Sequence, residues 1–510
     1  MRTLFPLLLV GCSPWSFNDP ASYTWVEALW DPAVVAAADG LYVRLPHAGK
    51  LARIDPASGK FAEVNLGGAA PEQMTLAPDG SSLLVRVNWQ VCLDDDPKIK
   101  APYDCPDDAL ETVTATDLVR GGERVTSVDV PSVFNAWTFD KNTNIAAATV
   151  DLDNGGTLDV NGLLNLTEVV FVELGSGASH HVPIGFAAEH VLFTLDGSRA
   201  LVLSRSAAAV IDLASWSKTV EFQLVIDDDQ SVTPEEAVLT PDGRYAILRV
   251  GGSDLYTLDL ENPHIDLIEL DGNASDLLVD NTADLTLAVM SNEPVVTLID
   301  HEIFETINLE LDEPAEKIVG GDGMALLYNT SSRYKDVYLI NTLEKDVEEF
   351  RAENPILEMY LAEDRSVAVA TTEPESTSGS GATGLYDRYY GLSIFPLTVG
   401  ADPIPLILES APLGLELVAA GGVQYALLLL DGGDELLKVN LASGEHEFLS
   451  LPGRPTGISA SPDGQFVITQ DASLGLISLL DPTDNSFTHV NGFGQLGLLV
   501  EPGFAARASE

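Results

Sequence analysis

Leu239-Thr240-Pro241-Asp242-Gly243-Arg244-Tyr245 is the stretch on which the fold turns. Proline presets one backbone angle, aspartate bonds the turn it opens, and glycine accepts a positive φ, so the stretch is a tight hairpin between two apolar runs. The phrase returns at Thr75-Leu76-Ala77-Pro78-Asp79-Gly80 and at Ser459-Ala460-Ser461-Pro462-Asp463-Gly464-Gln465-Phe466. Weaker copies stand at Leu195-Asp196-Gly197, Asn281-Thr282-Ala283-Asp284, Gly321-Asp322-Gly323 and Ala362-Glu363-Asp364-Arg365. Turns of this kind fall near residues 39, 79, 140, 196, 242, 284, 322, 364, 421 and 463, most of them roughly forty residues apart, which is the period of a repeat architecture.

Downstream of most turns a third run ends near Asp or Asn, as in Ala209-Val210-Ile211-Asp212, Leu255-Tyr256-Thr257-Leu258-Asp259 and Val296-Thr297-Leu298-Ile299-Asp300. A fourth run alternates with polar residues, as in Phe61-Ala62-Glu63-Val64-Asn65-Leu66. Four strands joined by short turns make a propeller blade. The inner strands are expected to be small and apolar because they crowd the axis, and the outermost to alternate because one face meets water. Long helical periodicity is absent. The chain therefore reads as all-β, a β-propeller over residues 24–510 with about ten repeat units and a ring of eight to ten blades. Closure is expected from Thr24-Trp25-Val26-Glu27-Ala28-Leu29 against strands from Leu476 onward, which would protect two open edges. The pattern resembles the YVTN and WD40-like propeller families. That resemblance implies the architecture and carries no activity with it.

Three spacings are longer and hold insertions, at 88–112, 151–166 and 371–391. In the last, Tyr386, Arg388, Tyr389 and Tyr390 follow a Ser/Gly-rich stretch and are binding candidates at a loop tip, or tyrosines that fasten the loop to its blade. In the second, Asp151-Leu152-Asp153-Asn154-Gly155-Gly156-Thr157-Leu158-Asp159-Val160-Asn161-Gly162 resembles an acidic calcium loop, with Asp151, Asp153 and Asp159 as candidate ligands and calcium as the cofactor. Gly155 departs from that pattern at a ligand position, and Gly162 stands where a bidentate Glu belongs. An acidic, glycine-rich blade loop is the other reading.

The 26 Lys and Arg stand against 78 Asp and Glu, a formal charge of −52. Such a surface repels nucleic acid and anionic headgroups and resists self-association, so a monomer without a nucleic-acid partner is expected. Adaptation to a saline setting explains the excess as readily as a cationic partner.

At the N-terminus one basic residue precedes the apolar run Leu4 to Val10, and then Gly11 and Cys12. The run is too short to span a bilayer and has the order of a secretory segment ending at a processing site. Leu9-Val10-Gly11-Cys12 resembles the bacterial lipobox. The resemblance implies a signal peptide at 1–11, diacylglyceryl transfer to the Cys12 sulfur, a lipidated tether at 12–23 and a place in the cell envelope. Ser13 after the cysteine would favour the outer membrane by the enterobacterial rule. Several acyl chains anchor stably where one does not. Setting Cys12 aside leaves Cys92 and Cys105, an even pair in an oxidising compartment. A disulfide between them would close a small loop and contribute roughly 3 kcal/mol.

The eight histidines, at 47, 180, 181, 190, 264, 301, 446 and 489, take no metal-site spacing. Gly-x-Ser-x-Gly, Gly-Lys-Ser and His-Glu-x-x-His are all missing. The leading expectation is a non-enzymatic envelope scaffold that holds a protein or peptide on one face of the disc. The alternative is a hydrolase or lyase acting on a small metabolite in the central channel, with or without a divalent cation, which a converging cluster of channel acids would favour.

Overall fold

The computed structural model describes residues 34–491 apart from 46–49, 93–109, 132–133, 135, 141, 151–166, 205, 228–229, 232–233, 375–387 and 472–475. It is all-β, a ring of ten four-stranded antiparallel blades. Numbered in chain order, blades 1 to 5 span 34–64, 70–128, 136–183, 190–223 and 236–269. Blades 6 to 10 span 274–310, 317–351, 356–408, 412–450 and 457–491. Every turn position read from the sequence falls in the hairpin between the first and second strand of a blade.

The chemistry of that hairpin is visible in blade 5. Thr240 N–H donates to the Tyr245 carbonyl at 3.0 Å and Gly243 N–H to the Thr240 carbonyl at 2.8 Å. The Thr240 hydroxyl donates to Asp242 Oδ1 at 2.6 Å, and Asp242 Oδ1 accepts the Arg244 N–H at 2.9 Å. Thr194 with Asp196 and Ser461 with Asp463 repeat the hydroxyl-to-carboxylate bond. The Asp or Asn that ends the third strand works in the same way. Asp259 Oδ1 accepts the N–H groups of Glu261 and Asn262, and Asn440 Oδ1 that of Ala442. A short side-chain acceptor thus satisfies donors that a two-stranded turn leaves over.

Gly243 sits at φ +66°, and a Cβ built on it would lie 2.8 Å from Thr194 Cγ2 of the preceding blade. Gly421, the counterpart in blade 9, has φ +60° with open space around it. Gly243→Ala should therefore cost about 1–2 kcal/mol more than Gly421→Ala, since both meet backbone strain but only the first also collides with its neighbour. Denaturant midpoints of the two variants check this; equal losses would mean that the turn does not pack on blade 4.

The apolar character expected next to the axis belongs instead to the second and third strands. Leu285–Met290, Val367–Thr372 and Ile145–Thr149 are buried along their whole length. Several first strands, such as Glu236–Leu239, are half-buried and carry polar residues, whereas Val34–Ala37 of blade 1 is apolar and buried. The reason is position, because the middle strands are covered by the faces of both neighbouring blades while the first strand borders the central opening. First strands of consecutive blades touch at steps 1–2, 3–4, 4–5, 5–6, 6–7, 7–8 and 9–10, which places them around the axis. Fourth strands such as Thr306–Glu310 are exposed, as expected of the outermost strand.

The ring closes face to face. Val34, Leu41, Val43 and Ile54 of blade 1 pack with Phe466, Ile468, Ile477 and Leu479 of blade 10 in one buried cluster, where each large apolar side chain contributes roughly 1.5–3 kcal/mol. The four described strands of blade 10 all come from 457–491. The closing segment expected at 24–29 lies outside the described residues. Two insertions are partly strand rather than loop: blade 2 runs Ser82–Cys92 against Leu110–Arg120, and blade 8 pairs Thr371 and Thr372 with Leu392 and Gly391. A hairpin of Val225–Asp227 and Gln230–Ser231 adds a further excursion between blades 4 and 5.

Candidate functional site

In an antiparallel four-stranded blade the 1–2 and 3–4 turns lie at one end, and the 2–3 loop and the link to the next blade at the other. The Pro-Asp-Gly turns therefore all sit on one face of the disc. The three long insertions join second to third strands in blades 2, 3 and 8, and the 225–231 hairpin lies in a blade-to-blade link. All four excursions open on the opposite face.

First strands begin on that same face, and their opening residues form an arc of carboxylates. Counting back four residues from the first hairpin residue gives Glu236 from Thr240, Asp276 from Asp280 and Glu358 from Ala362, in blades 5, 6 and 8. Lys317 takes the equivalent place in blade 7. Tyr328, Tyr360 and Glu416 continue the arc into blades 7 to 9. Each of these three feels the charge of, or is felt by, a neighbour in the series.

Much of the arc holds blades together. Asp276 Oδ2 accepts the Ile318 N–H of blade 7 at 2.9 Å, and Glu236 Oε1 accepts the Leu277 N–H of blade 6 at 3.4 Å. The Tyr328 hydroxyl accepts the Met359 N–H, and the Glu416 carboxylate the Ala460 N–H. First strands have one unpaired edge, so their N–H groups need acceptors, and the preceding blade provides them. Arg249 clamps Glu235 at 2.6 Å and Glu236 at 2.9 Å, and Tyr360 donates to Glu358 at 2.5 Å.

Burial pushes the Asp276 carboxyl up to about 6, with the neighbouring Glu236 carboxylate adding to the rise and the Ile318 N–H and Lys317 opposing it. Burial pushes Glu416 up to about 8. Both are partly accessible to water, yet protein surrounds them closely enough to exclude bulk dielectric, as on the wall of a recess. The Tyr328 and Tyr360 phenols are raised well above the ordinary value, first by burial and then by neighbouring charge at Tyr328 and by the bond to Glu358 at Tyr360. Among the described residues no group of three or more His, Cys, Asp or Glu is arranged to hold a metal ion.

Of the candidates read from sequence, Cys12, Cys105, Asp151, Asp153, Asp159 and Tyr386 lie outside the described residues. Cys92 ends the second strand of blade 2. Arg388 and Tyr389 are exposed where the chain returns into blade 8, and Asn354 Nδ2 bonds the Tyr389 carbonyl at 2.8 Å. Tyr390 opens the third strand and packs on the core shared by blades 8 and 9.

No protein-family model matches this chain. No curated protein matches it either. Solved structures do resemble it. A eukaryotic initiation factor is 14% identical with a TM-score of 0.49, over 74% of this chain and 95% of that one. Dihydro-heme d1 dehydrogenase NirN in complex with DHE is 11% identical with a TM-score of 0.40, over 71% and 76%. Kuenenia stuttgartiensis hydrazine synthase is 14% identical with a TM-score of 0.35, over 60% and 95%. At such identities the resemblance extends to fold and no further.

The carboxylate arc escaped the sequence reading because each acid looks like an ordinary strand-edge residue. The signal that finds it is the recurrence of an acid four positions before the hairpin.

Proposed function

We propose that this chain is a binding scaffold of the cell envelope, tethered to a membrane through lipidated Cys12, with a Cys92–Cys105 disulfide in blade 2. It holds a partner protein on the face where the insertions open. The observation that carries this reading is topological: four separate excursions from a regular ring all emerge on one face, while the other keeps short turns. Loops on a rigid frame are the usual bearers of recognition. The axial rim of that face is acidic, so a partner presenting Lys or Arg fits it, with salt-sensitive association.

The alternative, a channel hydrolase or lyase, draws on the adjacent carboxyls of Asp276 and Glu236, which have the form of an acid–base pair. Both groups are already bonded to the next blade or to Arg249, which favours the scaffold.

Pull-down from envelope extract with the full chain is the test. A protein partner should be recovered at low salt and lost when exposed Arg388 and Glu358 on the loop-bearing face are both changed to Ala. Substitutions of exposed residues on the opposite face, such as Leu195→Ser, should leave it bound. Recovery indifferent to the loop-bearing face would overturn the assignment of the binding surface. Cys12→Ala should move the protein into the soluble fraction, and retention at the membrane would remove the anchor.

A further inference from the structure

Along the outer rim between blades 1 and 2, away from the central opening, lies a groove of about 700 Å³. One wall is Arg53, Ala62 and Glu63 of blade 1. The other is the Gly121-Gly122 turn with Glu123 and Arg124 of blade 2, and Asn65 and Gly67 lie in the link between. In a chain with 26 basic residues among 510, two guanidiniums in one groove call for a reason.

Both are braced from behind. Arg53 Nε lies 3.1 Å from Asp39 Oδ2, and its Nη2 donates to the Asp39 carbonyl. Asp39 in turn accepts from the hydroxyl of fully buried Tyr42 at 2.8 Å. The same phenol oxygen accepts the Gly122 N–H at 2.8 Å, so one buried tyrosine fixes both the arginine and the turn facing it. Arg124 Nε lies 3.0 Å from Oδ1 of Asp117, which is 1% exposed, and its Nη2 donates to Ser127. Arg124 thus spends Nε and Nη2 on the protein, and Arg53 spends Nη2, its Nε resting within ion-pair distance of Asp39. Each keeps Nη1 without a partner among the described residues, that of Arg124 lying against Gly67. Arginines held by buried side chains are preorganised to donate, unlike solvated surface arginines.

The acceptors differ in kind. The Glu123 carboxylate makes no bond among the described residues, and that of Glu63 carries only Lys50 at 3.0 Å. The lining therefore offers two cations and two anions side by side. A plain anion would meet Glu63, Glu123 and the field of a −52 chain, and a plain cation would meet the guanidiniums. A ligand carrying both charges some distance apart satisfies both sets. The volume falls in the ~300–1,000 Å³ range of small-ligand sites, which a single amino acid would leave mostly empty. A Cβ on Gly121 would meet nothing within 4 Å, which leaves its backbone open to another main chain. We infer that this groove binds a short zwitterionic peptide of a few residues, its carboxylate on the Nη1 groups of Arg53 and Arg124 and its ammonium on Glu123 and Glu63.

The test is calorimetric titration of the full-length protein with three probes: trialanine, N-acetyl-trialanine and trialanine amide. Trialanine should bind at least about ten-fold more tightly than either blocked form, the loss expected when a charged partner is left unpaired. Glu123→Gln should weaken trialanine by about ten-fold without moving the unfolding midpoint, because that carboxylate bonds nothing among the described residues. Arg124→Lys, which keeps a positive charge beside Asp117, should weaken trialanine and N-acetyl-trialanine alike. No saturable heat from trialanine at millimolar concentration, equal affinity for all three probes, or an unchanged affinity in Glu123→Gln would each overturn the assignment. This site is independent of the scaffold reading, so failure of one leaves the other standing.

Discussion

Between about pH 4.5 and pH 8.5 the protein should lose stability as pH rises, with the melting temperature falling by roughly 3–6 °C. Glu416 has a folded value near 8 against 4.5 for the free group, and Asp276 near 6 against 3.8. A carboxyl whose folded pKa is raised binds its proton more tightly in the folded state. Below the unfolded value both states are protonated and nothing is lost. As pH climbs from there to the folded value, the unfolded chain ionises freely while the folded chain does not, so stability drains away through that window. The window is about pH 4 to 6 for Asp276 and 4.5 to 8 for Glu416. Allowing for the partial exposure of both groups, the two together are worth on the order of 3–6 kcal/mol.

The opposite slope appears in stronger acid. Asp196 is held down at about 2, first by the Thr194 hydroxyl and then by the Ser198 N–H and hydroxyl. It contributes stability present above the ordinary aspartate value and lost as pH falls through 2. The profile is therefore a dome with its top near pH 4 to 5. General repulsion in so acidic a chain also grows with pH, but salt screens it, whereas the contribution of the recessed carboxyls persists. Glu416→Gln keeps an oxygen for the Ala460 N–H and removes the ionisation. In 0.5 M salt, where the Debye length is about 4–5 Å, its melting temperature should exceed that of the parent at pH 8.5 and match it at pH 4.5. Coincident profiles would show that Glu416 ionises as freely in the ring as in the unfolded chain.

Blade number and blade position were readable from sequence because turn chemistry is local. Thr240, Asp242 and Gly243 act within a few residues of one another, so a short phrase carries all the information the hairpin needs. Strand roles were less readable. Apolar residues in Leu285–Met290 signal burial, but only the assembled ring reveals that burial peaks in the second and third strands. The site was hidden for a related reason. Glu236, Asp276 and Glu358 lie in different blades, and their common height on the disc depends on register, including irregularities in the first hairpins of blades 6 and 8. The groove at blades 1 and 2 is further from view, since Tyr42 and Gly122 meet only because the blades pack. Insertions were visible as irregular spacing, although their shared face follows from strand order rather than from composition.

Asp280→Ala should be the most damaging single substitution in blade 6, costing about 3–5 kcal/mol. Asp280 is fully buried. Its Oδ1 accepts the Thr282 and Ala283 N–H groups at 2.9 and 3.2 Å, closing its own hairpin. Its Oδ2 crosses into blade 7, where it accepts the Gly323 N–H at 2.9 Å and the Thr342 hydroxyl at 2.6 Å. One carboxylate therefore ties together three turns. Alanine would strand the buried Gly323 N–H and Thr342 hydroxyl of blade 7 and release the Thr282 and Ala283 N–H groups of its own hairpin. Asparagine should cost less, about 1–3 kcal/mol, because one oxygen remains and the Thr342 hydroxyl can rotate. Repeat stability is a sum of units and nearest-neighbour interfaces, and a closed ring has one interface more than an open array of the same blades. Weakening the 6–7 step should therefore open the ring there while neighbouring blades stay folded, and limited proteolysis should cut first in the link at 311–316. Equilibrium denaturation of Asp280→Ala, Thr342→Val and the double variant measures the bond across the interface. A coupling near zero, or a loss under about 1 kcal/mol for Asp280→Ala, would mean that this carboxylate is a passenger and that apolar packing alone joins the two blades.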